Sequence, residues 1–425
     1  MKRFRGKLVQ NVLALYGAQA ARKIIPLISL PYLARTLGPA GWGLVAFVTA
    51  LAEFMVIVID FGFNLSATRE IARHRNSPER CGEVMAGVLG AQALLAAFAV
   101  VASVTAAQWI PALRSDPRLL ASGLVYAVAC GFSPTWFFQG LEWMRISAAL
   151  ELFSKLTGLG ALFVFVHSPA DAWKAVLVST IPAVASMVVG LFLALRTIPW
   201  LRPTPVLVRE ALRMGWPMFL FRSTESLYGV GNAFLLGLFA PVQYVGYFAP
   251  AEKISKAVFG LLNPIREAVY PRLSHLAQRG QSDAASLARV SAALIIGGGV
   301  VLGGALVVFA PLLVRIFLGG EYAQVVVIVR IMAALPVLLA VTHAIGLQWL
   351  LPMGRDRAVN RVVMGAAVVN VVLSVLLAPR FLHVGMACAV VCSETFASVG
   401  MVIAVLKFSP FWKTSPPVTA AEGQA

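Results

Sequence analysis

Charge is scarce in this chain. Only 12% of its 425 residues are Asp, Glu, Lys or Arg, and 59% are hydrophobic. A soluble domain carries about 25% charged residues, so this is the composition of a membrane protein. Acid is the scarcer sign: 18 Asp and Glu stand against 35 Lys and Arg, a net charge of +17. In a soluble protein that excess would suggest nucleic acid. No basic amphipathic or aromatic-basic module is present, so no nucleic-acid partner is expected. The basic residues read instead as topology signals and contacts for anionic lipid headgroups.

Cysteine is rare as well, with four residues: Cys81, Cys130, Cys388 and Cys392. Cys388 and Cys392 lie one helical turn apart, but no His or second Cys pair completes a metal site. They read as small buried apolar residues, and no metal or cofactor is expected. The five histidines are scattered and read as structural. No DxD, HExxH, G-x-S-x-G or P-loop pattern occurs. The connectors on the side poor in basic residues are short. The chain is therefore not expected to be an enzyme.

Long apolar runs are what the chain has in abundance. A span needs about 20 apolar residues. Twelve candidates are visible, at 9–33, 43–65, 82–107, 118–139, 147–166, 173–195, 211–239, 243–270, 286–309, 323–351, 358–378 and 383–406. The first follows MKRFRGK, lacks a small-residue cleavage site and is too long for a signal-peptide core, so it reads as an uncleaved span. The stretch after Lys413, TSPPVTAAEGQA, has no apolar periodicity and is expected to be disordered.

The basic residues alternate by connector. The N-terminus, the even-numbered connectors and the C-terminal end hold 21 Lys and Arg. The odd-numbered connectors hold six: Arg35, Arg114, Arg118, Lys174, Arg315 and Arg380. By the positive-inside rule both termini are cytoplasmic. A weak internal repeat agrees with this count. Gly43 and Gly246, Ala46 and Ala249, and Arg69 and Arg272 share one spacing of 203 residues. The expected architecture is an all-α polytopic membrane protein of about 12 helices. It would form an N-terminal six-helix lobe (1–200), a C-terminal six-helix lobe (201–413) around a central cavity, and a tail (414–425).

Some charges lie inside the apolar runs, where they are costly and mark a transport pathway. Arg22 and Lys23 sit in the first span before Pro26, about 20 Å along it. Pro26 cannot donate to the Arg22 carbonyl, so the helix should loosen there. A polar cavity or snorkelling to an interface would accommodate the pair. In the second span Thr49, Glu53, Asp60 and Asn64 share a helical face, as a functional group or as interhelical glue. Arg222 and Glu225 in the seventh span are spaced to neutralise each other. In the eighth, Glu252, Lys253, Lys256, Asn263, Arg266 and Glu267 fall within an arc of about 140°, which cannot face lipid. Arg330 in the tenth is a lone cation. Glu151 and Lys155 form a possible pair in the fifth, and Glu394 in the twelfth has no evident role.

Five stretches carry a resemblance: PLISLPYLARTLGPAGWG (Pro26–Gly43), DFGFNLSATREIARHR (Asp60–Arg75), PTWFFQGLE (Pro134–Glu142), VGYFAPAEKISKAV (Val245–Val258) and NPIREAVYPRLS (Asn263–Ser274). With LGGEYAQ (Leu318–Gln324) they make nearly the whole chain resemble the O-antigen and polysaccharide-repeat flippases of the multidrug/oligosaccharidyl-lipid/polysaccharide exporter superfamily. The resemblance implies a MATE-like fold in the bacterial inner membrane. It implies movement of undecaprenyl-pyrophosphate-linked oligosaccharide from the cytoplasmic to the periplasmic leaflet by alternating access, with proton or sodium coupling and no cofactor. Polysaccharide polymerase and assembly proteins would be partners. On this likeness Arg22 or Lys23, Arg222 and Arg266 would face the pyrophosphate, joined from their placement by Lys253, Lys256 and Arg330. Glu53 and Asp60 would couple the ion. The lipid II flippase group has two further helices that this chain lacks. Two other classes stay open: a multidrug cation antiporter, which favours an acidic cavity, and a polymerase or ligase, which wants a long periplasmic loop.

Overall fold

The computed structural model describes the backbone of residues 2–229, 231–279 and 281–408, and the side chains of residues 24–220, 231–276 and 284–408. Among the described residues all regular structure is helical. In chain order the helices are α1 (Lys2–Asp60), α2 (Phe63–Arg73), α3 (Pro78–Ala107), α4 (Pro111–Arg114), α5 (Pro117–Gly131), α6 (Thr135–Gly140), α7 (Met144–Phe165) and α8 (Ala172–Leu195). There follow α9 (Pro205–Gly229), α10 (Gly231–Phe239), α11 (Val242–Gly260), α12 (Asn263–Arg279) and α13 (Gln281–Phe317). The chain continues with α14 (Val325–Met332), α15 (Leu335–Thr342), a π-helical turn (His343–Leu350) and α16 (Asp356–Phe408).

Eight helical stretches among the described residues are long and apolar enough to cross a membrane. Two of them are double. α1 breaks at Gly38, with φ 66° and ψ 177°. α16 breaks at Leu382, with φ 53° and ψ −133°. These breaks fall between the first and second and between the eleventh and twelfth expected spans. α1 stays helical through Pro26 and Pro31. The expected seventh and eighth spans correspond to α9–α10 and α11–α12.

Three expected continuities are interrupted. The face carrying Thr49, Glu53 and Asp60 does not run on to Asn64, because Phe61 and Gly62 are left-handed (φ 45° and 76°) and start a new helix. The 118–139 span is divided at Phe132–Pro134, where the proline cannot continue the preceding ladder. The 243–270 span is divided at Leu261–Leu262.

Backbone contacts group the chain into two compact units. The first comprises Met1–Gly246 with Phe317–Glu321, the second Tyr247–Ile316 with Tyr322–Ala425. In the first, Phe61, Phe63, Ile71, Met85, Trp136, Phe137 and Phe138 form a buried cluster. Phe47 and Phe234 stack with centroids 5.5 Å apart, which seats α10 on the second half of α1. In the second unit, Leu273, Trp349, Leu350, Met401 and Val405 share one core. A smaller cluster joins Phe259, Leu262, Ile295 and Ala340. Large apolar side chains such as Phe98, Val301 and Val308 point outward, each more than 60% exposed. Hydrocarbon rather than water is the natural solvent for such faces, and helices satisfy their own backbone polar groups there. The protein is an all-helical, multi-pass membrane protein.

Candidate functional site

The candidate site lies in the second unit, where α11 gives way to α12. α11 ends in Leu261 N–H to Val258 C=O and Leu262 N–H to Phe259 C=O bonds of 3.1 and 3.0 Å. α12 begins when the Leu262 carbonyl accepts the Arg266 N–H at 3.3 Å. Pro264 is tolerated there because a first-turn residue has no intrahelical N–H bond to lose. The break turns Arg266 toward Asn263 and Phe259. Its Nη1 donates to Asn263 Oδ1 at 2.7 Å, and its Cζ lies 5.2 Å from the Phe259 ring centroid.

Neighbouring helices hold this corner. Gln348, 3% exposed in the π-helical turn, donates from Nε2 to the Arg266 carbonyl at 3.4 Å. Its Oε1 accepts from the buried Ser291 hydroxyl of α13 at 2.6 Å. The ring of His343 sits 5.2 Å from that of Phe259. Beneath lie Leu262, Ile295 and Ala340 of the small apolar cluster.

Arg266 thus carries a half-buried guanidinium whose side-chain hydrogen bond goes to a neutral amide. Among the described residues no carboxylate lies within 4.0 Å of it. Guanidinium presents five N–H donors in a planar fork, suited to two oxygens of a phosphoryl group at once. Among the described residues, only Asn263 takes a hydrogen bond from that fork. In a low-dielectric setting the attraction between such a charge and an anion is stronger than in water.

The other residues singled out from the sequence fall in different settings. Lys256 is paired with Glu252 at 2.8 Å, and Glu252 is buried, so this charge is matched within α11. Lys253 is exposed on the same helix. Arg330 is exposed on α14 and donates from Nε to the Val307 carbonyl of α13 at 3.4 Å. Glu53 is exposed on α1, and Asp60 is half-buried as the last residue of that helix. The side chains of Arg22, Lys23, Arg222 and Glu225 lie outside the described residues, as does the 414–425 tail. The structure therefore brings Arg266 together with Asn263, and not with Lys253, Lys256 or Arg330 through any hydrogen bond of its side chain.

Phe259, Ser291, His343 and Gln348 were not visible as site residues in the sequence. The NP dipeptide at Asn263–Pro264 is a helix-start signal that could have located the break. Nothing in the sequence marks the π-helical turn. Among the described residues no three or more His, Cys, Asp or Glu gather to hold a metal ion.

A model of the family described as polysaccharide biosynthesis protein matches residues 8–277. The chain belongs to that family. It is 28% identical over 406 residues to the "Putative O-antigen transporter" of Escherichia coli (strain K12), covering 94% of this chain and 96% of that one. Its namesake in Shigella dysenteriae is 28% identical over 400 residues, covering 93% and 99%. Among solved structures, the lipid II flippase MurJ in an inward closed conformation superposes with a TM-score of 0.71 at 11% identity, covering 94% of this chain and 87% of that one. An inward-facing MATE-family multidrug transporter of the MOP superfamily gives 0.65 at 16% identity, covering 92% and 99%. The fold is thus that of the MurJ and MATE transporters. The relatives and structural neighbours carry the names of transporters and flippases.

Proposed function

We propose that the protein is a flippase for undecaprenyl-pyrophosphate-linked oligosaccharide repeat units, moving them from the cytoplasmic to the periplasmic leaflet of the bacterial inner membrane. The observation that carries this reading is Arg266: a half-buried guanidinium on a broken membrane helix, bonded to a neutral amide, with no carboxylate partner among the described residues. A pyrophosphate-sugar headgroup is large, polar and anionic. It needs a wet cationic passage, while the polyprenyl tail stays in lipid. Arg22, Lys23, Arg222, Lys253, Lys256 and Arg330 are the further cations proposed to serve that passage. The family membership and the O-antigen transporter relatives support the class of cargo.

Alternating access between two six-helix lobes, with both termini cytoplasmic, is the proposed mechanism. The alternation of basic connectors supports this orientation. A proton or sodium gradient drives the cycle, with Glu53 and Asp60 as the coupling carboxylates. Polymerase and assembly proteins consume the product on the periplasmic side. A multidrug cation antiporter would want an acidic binding site, and the local charge at Arg266 is of the wrong sign.

Mass spectrometry of lipid extracts from a strain lacking this protein tests the reading. The intact undecaprenyl-pyrophosphate oligosaccharide should accumulate and disappear when the gene is restored. Normal levels of that intermediate in the deletion strain would contradict the flippase assignment.

A further inference from the structure

The Phe259 ring is shared by two polar groups. The guanidinium carbon of Arg266 and the ring centroid of His343 each lie 5.2 Å from its centroid. His343 opens the π-helical turn, a widening that recurs at functional sites. The residue before it is fixed from α16: Ser398 Oγ lies 3.1 Å from Thr342 Oγ1 and donates to the Leu338 carbonyl at 2.9 Å. The backbone that carries the imidazole is thereby tied to α16.

His343 Nδ1 is buried and, among the described residues, has no hydrogen-bond partner. Burial of such a nitrogen without a partner is disfavoured, and a bound water or ion is one way of satisfying it. Among the described residues the guanidinium on the same Phe259 ring has donors to spare as well. An anion with oxygens at two centres would satisfy both groups together. Its negative charge would meet the guanidinium, and a second oxygen would accept from the imidazole and so select the Nδ1–H tautomer of the neutral ring.

We propose that Arg266 and His343, both bordering Phe259, form a two-point receptor for a pyrophosphoryl group, with His343 giving the second hydrogen bond. This rests on the reading of Arg266 as the headgroup cation. It assigns His343 the role of distinguishing a two-phosphate headgroup from a single phosphate. Asn263 orients the guanidinium, and Gln348 with Ser291 holds the backbone beneath it.

The test is equilibrium binding of inorganic pyrophosphate and inorganic phosphate to the purified full-length protein. The wild type should prefer pyrophosphate. His343→Leu should weaken pyrophosphate about 10-fold, the loss of one hydrogen bond to a charged group, and leave phosphate unchanged. His343→Asn, whose amide can reach the Nδ1 position, should stay within about 3-fold of wild type. His343→Gln places its amide further out and should behave like His343→Leu, which keeps the test open if the leucine variant does not fold. Arg266→Ala should weaken both anions. An unchanged pyrophosphate-to-phosphate ratio in the His343→Leu and His343→Gln variants, with both anions lost in Arg266→Ala, would overturn the role of His343 and leave the headgroup reading standing. A wild type that binds the two anions equally overturns the receptor as well. Unaltered binding of both anions by Arg266→Ala would instead remove Arg266 from the headgroup site.

Discussion

Gly43 and Gly246 meet backbone to backbone. A side-chain carbon on Gly43 would stand 2.8 Å from the Gly246 nitrogen and press on the Val242 carbonyl. One on Gly246 would stand 3.1 Å from the Gly43 nitrogen and press on the Pro39 carbonyl. The two glycines are the same pair that the repeat spacing of 203 residues relates to each other. The contact is reciprocal, as two copies of one element crossing about a local twofold would make it.

Alanine at either position must therefore displace backbone. Overpacking of this kind costs about 1–3 kcal/mol. Gly43→Ala and Gly246→Ala should each lower the thermal midpoint of the purified protein. Gly304 has nothing within 4 Å of its would-be side chain, and Gly304→Ala should be neutral or slightly stabilising. Equal midpoints for all three variants would mean the close crossing is absent.

Glu142 offers a separate test of local strain. Its φ is 61°, in the left-handed region, and its carboxylate bonds Arg75 at 3.1 Å. Both side chains are more than half exposed, so that ion pair is worth little. The backbone conformation costs a non-glycine residue about 1–2 kcal/mol. Both Glu142→Gly and Glu142→Ala lose the pair, but only glycine relieves the backbone. Glu142→Gly should be the more stable by about 1 kcal/mol in a denaturation series. Alanine matching glycine would contradict the left-handed assignment.

Reporter fusions check the topology. Fusions after Arg75, Arg202, Arg279 and Arg357 should read cytoplasmic, and those near Asp116, Asp171 and Glu321 periplasmic. Reversal at two or more sites would overturn the orientation proposed from the basic connectors.

Ion coupling is testable at Asp60 and Glu53. Asp60→Asn should abolish gradient-dependent transport while the protein remains at its normal level in the membrane. If Asp60→Asn and Glu53→Gln both transport fully, neither carboxylate takes part in coupling.

Much of the helical architecture was readable in the sequence because hydropathy is summed over many residues. The twelve apolar stretches are mostly helical among the described residues, and the breaks at Gly38 and Leu382 fall where one span gives way to the next. What was not readable depends on single backbone angles. The Phe61–Gly62 turn removes Asn64 from the face of Glu53 and Asp60, and no hydropathy pattern encodes that. The break at Leu261–Leu262 splits the arc of charges assumed for a straight eighth helix. The surroundings of Arg266 were the least readable part. His343 and Gln348 come from a π-helical turn roughly 80 residues downstream, and Ser291 from α13, so only tertiary packing brings them to the same corner.

The central claim is that a cationic site led by Arg266 moves the anionic headgroup. Each contact of Arg to pyrophosphate is charge-assisted and worth roughly 1.5–3 kcal/mol, or about 10- to 100-fold in affinity. Lysine keeps the charge but loses the fork. The decisive measurement is restoration of surface polysaccharide in a flippase-null strain by Arg266→Ala and Arg266→Lys at native expression, alongside the alanine variants of Arg22, Lys23 and Arg222. The account predicts inserted protein with no restoration by Arg266→Ala and partial restoration by Arg266→Lys. Full restoration by all four alanine variants would contradict it.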